Sequence, residues 1–100
     1  MPDVGTVRTD LLPAALQTAV TDCAREFNVS AIWLFGSMLT DPDHAHDIDL
    51  AVEGVAPEKF FAFYSRLWDV LPKPVDLVDL SEEPPIAPVI REEGVRIYER

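Results

Sequence analysis

The sequence holds one cysteine, Cys23, and four glycines in 100 residues. A lone cysteine excludes an internal disulfide and a cysteine-built zinc cluster, and it fits a reducing, cytoplasmic compartment. Basic residues are also few: eight Lys and Arg stand against eighteen Asp and Glu, for a formal net charge of −10. They are scattered singly, so no basic face exists to hold DNA or RNA by its phosphates, which excludes autonomous nucleic-acid binding. The acidic balance suits a basic protein partner or plain solubility. No apolar run approaches the roughly 20 residues that span a bilayer. Residues 1–10 are short and polar and lack the apolar stretch of a signal peptide. The expectation is a soluble, cytoplasmic protein without a membrane segment.

What is present is an ordinary globular composition, 48% hydrophobic and 26% charged, in a length that makes one small domain over residues 1–100. A core of that size gains from a hetero-oligomeric partner. Residues 1–9 read as a loose leader. Leu12, Ala15, Leu16, Ala19, Val20, Cys23 and Phe27 then recur at helical steps, with Asp10 as N-cap and Asn28 as stop. Ala31–Phe35 is a short apolar run ending at Gly36, a buried strand. The segment from Ser37 to His46 has no periodicity and reads as a loop. Asp47–Val52 alternates as a second strand.

Pro57 opens a helix to about Val70, with Phe60, Phe61, Tyr64, Leu67, Trp68 and Leu71 as its packing stripe and Phe63 off it, exposed to a partner. Phe61, Phe63 and Ile97 are the apolar positions open to either a partner or internal packing. Pro72-Lys73-Pro74 is a linker, Val75–Leu80 a third strand, 86–92 a short helix ended by Gly94, and Val95–Tyr98 a last strand. The fold class is α/β: a small mixed sheet of about four strands with flanking helices. The first two strands are antiparallel, because their connection is too short for a helical crossover.

The chemistry concentrates in Leu34-Phe35-Gly36-Ser37, a gap of nine residues, and Asp47-Ile48-Asp49-Leu50. Carboxylates at i and i+2 on a strand share a face, with Cβ atoms roughly 6–7 Å apart. Partly buried, such a pair repels unless a cation relieves it, and hard oxygen ligands suit Mg²⁺ or Mn²⁺. A glycine directly after a buried strand lets backbone N–H groups approach phosphate oxygens, and a serine hydroxyl adds a donor. Together these mark a site for a nucleoside triphosphate held as its magnesium complex. Cys23 lies on an apolar stripe and reads as core, and His44 and His46 read as solvated loop histidines.

These motifs resemble the minimal nucleotidyltransferase (MNT) family of the polymerase-beta superfamily. The likeness extends to Val75-Asp76-Leu77-Val78 and to the closing Ile90-Arg91-Glu92-Glu93-Gly94-Val95. The resemblance implies the nucleotidyltransferase fold and transfer of a nucleoside monophosphate, AMP from ATP or another NTP, to a hydroxyl. It implies that Gly36 and Ser37 grip the phosphates. It implies catalytic, metal-binding roles for Asp47, Asp49 and Asp76; Asp79, on the opposite face of the same strand, competes for the third role, and its place at the strand's end reads as a turn cap. Many such proteins are antitoxins of HEPN-domain ribonuclease toxins, which they nucleotidylate or bind. Relatives often carry a basic residue just after Gly-Ser. Here that segment is Met38-Leu39-Thr40-Asp41-Pro42-Asp43, acidic and without a base. A domain of this fold that neutralises its partner by binding alone is therefore the alternative expectation.

Overall fold

The computed structural model describes residues 6–100. Its elements are α1 (Ala14–Glu26), β1 (Ala31–Phe35), α2 (Ser37–Thr40), β2 (Ile48–Glu53), α3 (Phe60–Val70), β3 (Val75–Asp79), α4 (Ala87–Glu93) and β4 (Val95–Glu99), with single 3₁₀ turns at Pro42–His44, Pro57–Lys59 and Leu80–Glu82. The four strands form one mixed sheet in the order β3-β2-β1-β4. As the short connection demands, β1 and β2 are antiparallel, whereas α3 carries the chain across so that β3 runs parallel to β2. β4 returns antiparallel to the other side of β1.

Two apolar clusters sandwich the sheet. On one face Ile32, Leu34, Ile48, Leu50, Val52 and Ile97, all fully buried, pack under α1 and α3 with Val20, Phe63 and Leu67. On the other, Ala51, Leu80, Ala87 and Ile90 gather with Trp33, Phe35 and Val78 beneath α4. Gln17, buried on α1, donates to the Ile97 carbonyl at 2.8 Å and ties that helix to β4.

Several expectations are corrected. Asp10 does not cap α1; the helix starts after Pro13, whose carbonyl accepts from Leu16 and Gln17. A residue before proline is pushed out of the helical region, so Leu12 cannot carry the first turn. Asp10 pairs instead with Arg8 at 2.8 Å. Of the segment expected as a loose leader, residues 1–5 lie outside the described residues, and in the remainder the Arg8 backbone N–H donates to the Arg96 carbonyl of β4 at 2.9 Å. The loop from Ser37 to His46 contains a one-turn helix and a 3₁₀ turn, elements too short to show a period.

The largest correction is the rotation of α3. Phe63 is fully buried, while Phe61 and Trp68, expected on the packing stripe, are 80% and 51% exposed. Both stripes of this helix are apolar, so spacing alone did not choose between them. Ile97 packs internally. Asn28 does stop α1, in the left-handed region at φ 55°, with Val29 reaching back to the Ala24 carbonyl at 3.1 Å.

Candidate active site

At one end of the sheet, β1 finishes and β2 and β3 begin, so three segments deliver their polar residues to the same place. Phe35 pairs with Asp49 across the antiparallel ladder, and Asp49 lies beside Asp76 in the parallel one. In a parallel register adjacent residues project from the same face. Asp49 and Asp76 therefore stand together, and Asp47 enters just ahead of β2. Asp47 and Asp76 are exposed, and Asp49 is half-buried.

Electrostatics register the crowding. Burial is the main cause that pushes the Asp49 carboxyl above the ordinary carboxylate range, and the negative charges of Asp76 and then Asp47 push it further. No cation is among the groups that perturb it.

Gly36 supplies the other half of the arrangement. It sits at φ +74°, a conformation in which side chains other than glycine are strained. A Cβ built there would run into the carboxylate of Asp49. Glycine thus lets the backbone at the end of β1 lie directly against the half-buried carboxylate. Ser37 follows as the exposed first residue of α2, and the Gly36 carbonyl accepts from Leu39 and Thr40, closing the turn. A cavity of about 330 Å³ opens here, lined by Phe35, Gly36, Ser37, Leu39, Val89 and Glu93 among others.

A divalent cation suits this donor set: an all-oxygen set of carboxylates, one half-buried and crowded by two like charges with no basic counter-charge, is the environment hard cations occupy. As the side chains stand, no three His, Cys, Asp or Glu among the described residues are gathered into a cage. His44 and His46 are exposed, and His44 Nδ1 lies 3.0 Å from Asp41 Oδ1. Asp79 accepts from the Ser81 N–H at 2.9 Å, a turn cap at the end of β3.

Lys73 was overlooked as part of a linker. Its ammonium donates to the Ala45 carbonyl at 2.6 Å, while Ile48 N–H donates to the Pro74 carbonyl at 2.8 Å. These two bonds clamp the segment leading to Asp47 onto the start of β3. A lysine between two prolines, three residues before Asp76, was the available signal.

The model of the family described as "Polymerase beta, Nucleotidyltransferase" matches residues 18–100. The chain belongs to this nucleotidyltransferase family. No curated protein matches the chain by sequence. Solved structures do match its fold. A toxin–antitoxin complex with AMP-PNP contains a chain 23% identical, with a TM-score of 0.67, covering 84% of this chain and 73% of that one. The MntA–HepT toxin–antitoxin complex gives 21% identity and a TM-score of 0.62 over 85% and 71% of the two chains. The tri-AMPylated Shewanella oneidensis HEPN toxin in complex with MNT antitoxin gives 21% and 0.61 over 85% and 71%. At these identities the likeness is one of fold.

Proposed function

We propose that this domain is a Mg²⁺-dependent nucleotidyltransferase that moves a nucleoside monophosphate, AMP from ATP, onto a hydroxyl of a partner protein. We further propose that it serves as antitoxin to an HEPN-type toxin. The observation that carries the transferase reading is Gly36 lying against Asp49 while Asp49 stands in register with Asp76. That arrangement sets the backbone of a glycine turn directly beside a carboxylate cluster. Gly36 and Ser37 hold the triphosphate, and Asp47, Asp49 and Asp76 are the ligands for Mg²⁺ or Mn²⁺. When bound by these carboxylates, the metal would supply charge neutralisation to the transfer. The acceptor oxygen bonds to the α-phosphorus, the bond to the bridging oxygen breaks, and pyrophosphate leaves with the electron pair. Asp76 takes the hydroxyl proton. The antitoxin reading is supported by the fold likeness to complexes of MNT antitoxin and HEPN toxin.

One observation favours a second reading, a domain that masks its partner without transfer. The cavity beside Ser37 is lined by no Lys or Arg, Glu93 lines it, and Asp41 and Asp43 follow α2. Negative charge there weakens a triphosphate's hold.

One experiment separates the two. Radiolabelled ATP and Mg²⁺ are incubated with the domain and the product of the gene beside its own, with an Asp47→Asn/Asp49→Asn double variant in parallel. Label on the partner from the wild type alone establishes transfer. A tight complex without label establishes masking.

A further inference from the structure

The exposed aromatic side chains of α3 do not lie on an arbitrary surface. Phe61, Tyr64, Ser65 and Trp68 form a shallow groove, and beyond Phe61 it deepens into a second cavity of about 420 Å³. That cavity is lined by Pro57, Phe60, Phe61, Val78 and Pro84, with Asp79 and Glu82 at its rim. α3 runs alongside β3, the edge strand of the sheet. Tyr64 Oη and Trp68 Nε1 both donate to the Val75 carbonyl, at 3.0 and 3.1 Å. One end of the groove is therefore fixed one residue from Asp76, and the other reaches the turn after β3.

Three observations say what covers it. An 80% exposed phenylalanine beside a 51% exposed tryptophan is apolar surface of the kind that marks interaction sites. The cavity's charged lining residues, Asp79 and Glu82, are both acidic, in a chain of net charge −10. A second copy of this chain would set acid against acid, so the complement is an apolar side chain flanked by Lys or Arg on a different protein. The third observation is the side of the site on which the groove lies. Gly36 and Ser37 follow β1, Asp49 is on β2 and Asp76 on β3, so phosphate turn and groove flank the carboxylates on opposite sides. In an in-line displacement the attacking hydroxyl enters opposite the leaving pyrophosphate, which puts its approach on the β3 side.

We propose that the groove along α3 and the β3 edge, from Trp68 through Phe61 to Pro84, is the docking surface for the acceptor-bearing partner. The segment that seats there carries an apolar side chain between basic residues. The direction of approach rests on the transferase reading above; the docking surface does not.

The test is calorimetric binding of the full chain to the purified product of the neighbouring gene. Wild type is compared with Phe61→Ser, Glu82→Lys and, as a control just ahead of α4, Ile86→Ser, which removes a side chain 41% exposed outside the groove. The expected result is at least a tenfold weaker complex for Phe61→Ser and a weaker, less salt-sensitive one for Glu82→Lys. Ile86→Ser binds as wild type, and the unfolding midpoints coincide. The proposal is overturned by undiminished binding of Phe61→Ser, by a loss confined to Ile86→Ser, or by no complex with the wild type. It is overturned equally by a drop in MgATP affinity for Phe61→Ser, which assigns the cavity to the nucleobase, or by wild-type self-association that Phe61→Ser abolishes. A label-transfer assay on the wild type keeps the two ideas apart: Phe61-dependent binding with no transfer by the wild type retains the surface and discards the transferase reading.

Discussion

Along β2 the side chains alternate between two environments one residue apart. Ile48, Leu50 and Val52 face α1 and α3 and are fully buried, while Asp49 faces the other way into a half-open site crowded by Asp47 and Asp76. The same backbone ladder supports both. On the first face every neighbour adds apolar contact, so side-chain volume is what matters there. On the second face the nearest charges repel, and the arrangement persists because the strands that carry it are held from the other side. The core face thus holds in place a site that works against itself.

Four substitutions sharpen or break that contrast, from the largest expected effect to the smallest. Asp47→Asn/Asp49→Asn should reduce label transfer by roughly a hundredfold or more, since metal stabilisation of several kcal/mol is lost at about 1.4 kcal/mol per tenfold. Its urea midpoint should hold or rise. A comparable loss of stability would show that the acids belong to the core's support after all. Leu50→Ala, one residue away, should do the reverse and lower unfolding free energy by about 2–5 kcal/mol. A value under about 1 kcal/mol in urea titration would mean that the core face yields more easily than its packing implies.

Gly36→Ala lies on the boundary. Non-glycine strain at φ +74° should reduce stability by roughly 1–3 kcal/mol, and displacement of Asp49 should weaken Mg²⁺ binding in the same variant. Mg²⁺ titration followed by thermal shift reads both effects. Asp49→Asn alone should give the smallest change, in the opposite direction. The raised carboxyl of Asp49 binds a proton more tightly folded than unfolded. Wild-type stability without metal therefore falls as pH rises from the unfolded carboxylate value through the folded one, and stays lower above it. The Asn variant lacks that decline, so metal-free protein should show a variant advantage at pH 7 that shrinks as the solution is acidified. An advantage independent of pH would point to packing rather than charge.

Much of this organisation was legible in the chain. Ala31–Phe35 stood out as a short unbroken apolar run and Asp47–Val52 by its alternation, and the nine-residue gap between Ser37 and Asp47 dictated antiparallel pairing. Val75–Leu80 was legible as a strand, but the place of Asp76 beside Asp49 was implied only by the family resemblance. Nothing local tells β3 to pair with β2, or β4 with the far side of β1. The helix α3 was misjudged for a different reason. Phe60, Phe63, Leu67 and Val70 make one apolar stripe and Phe61, Tyr64 and Trp68 another, so the sequence offered two equally good buried faces. The sheet selected the first, and its choice exposed the groove.

The parallel pairing of β2 and β3 has a bearing on how the molecule comes to exist. The first two strands need only a short excursion of chain to meet, so Asp47 and Asp49 can be in place with that hairpin. Asp76 cannot stand beside them until α3 has been laid down and the chain has travelled back across the sheet, a longer closure of the type that slows folding. The third acid thus joins the other two only in the step that also seats Phe63 and Leu67 in the core. The topology postpones the unfavourable encounter until the chain's own collapse can oppose it.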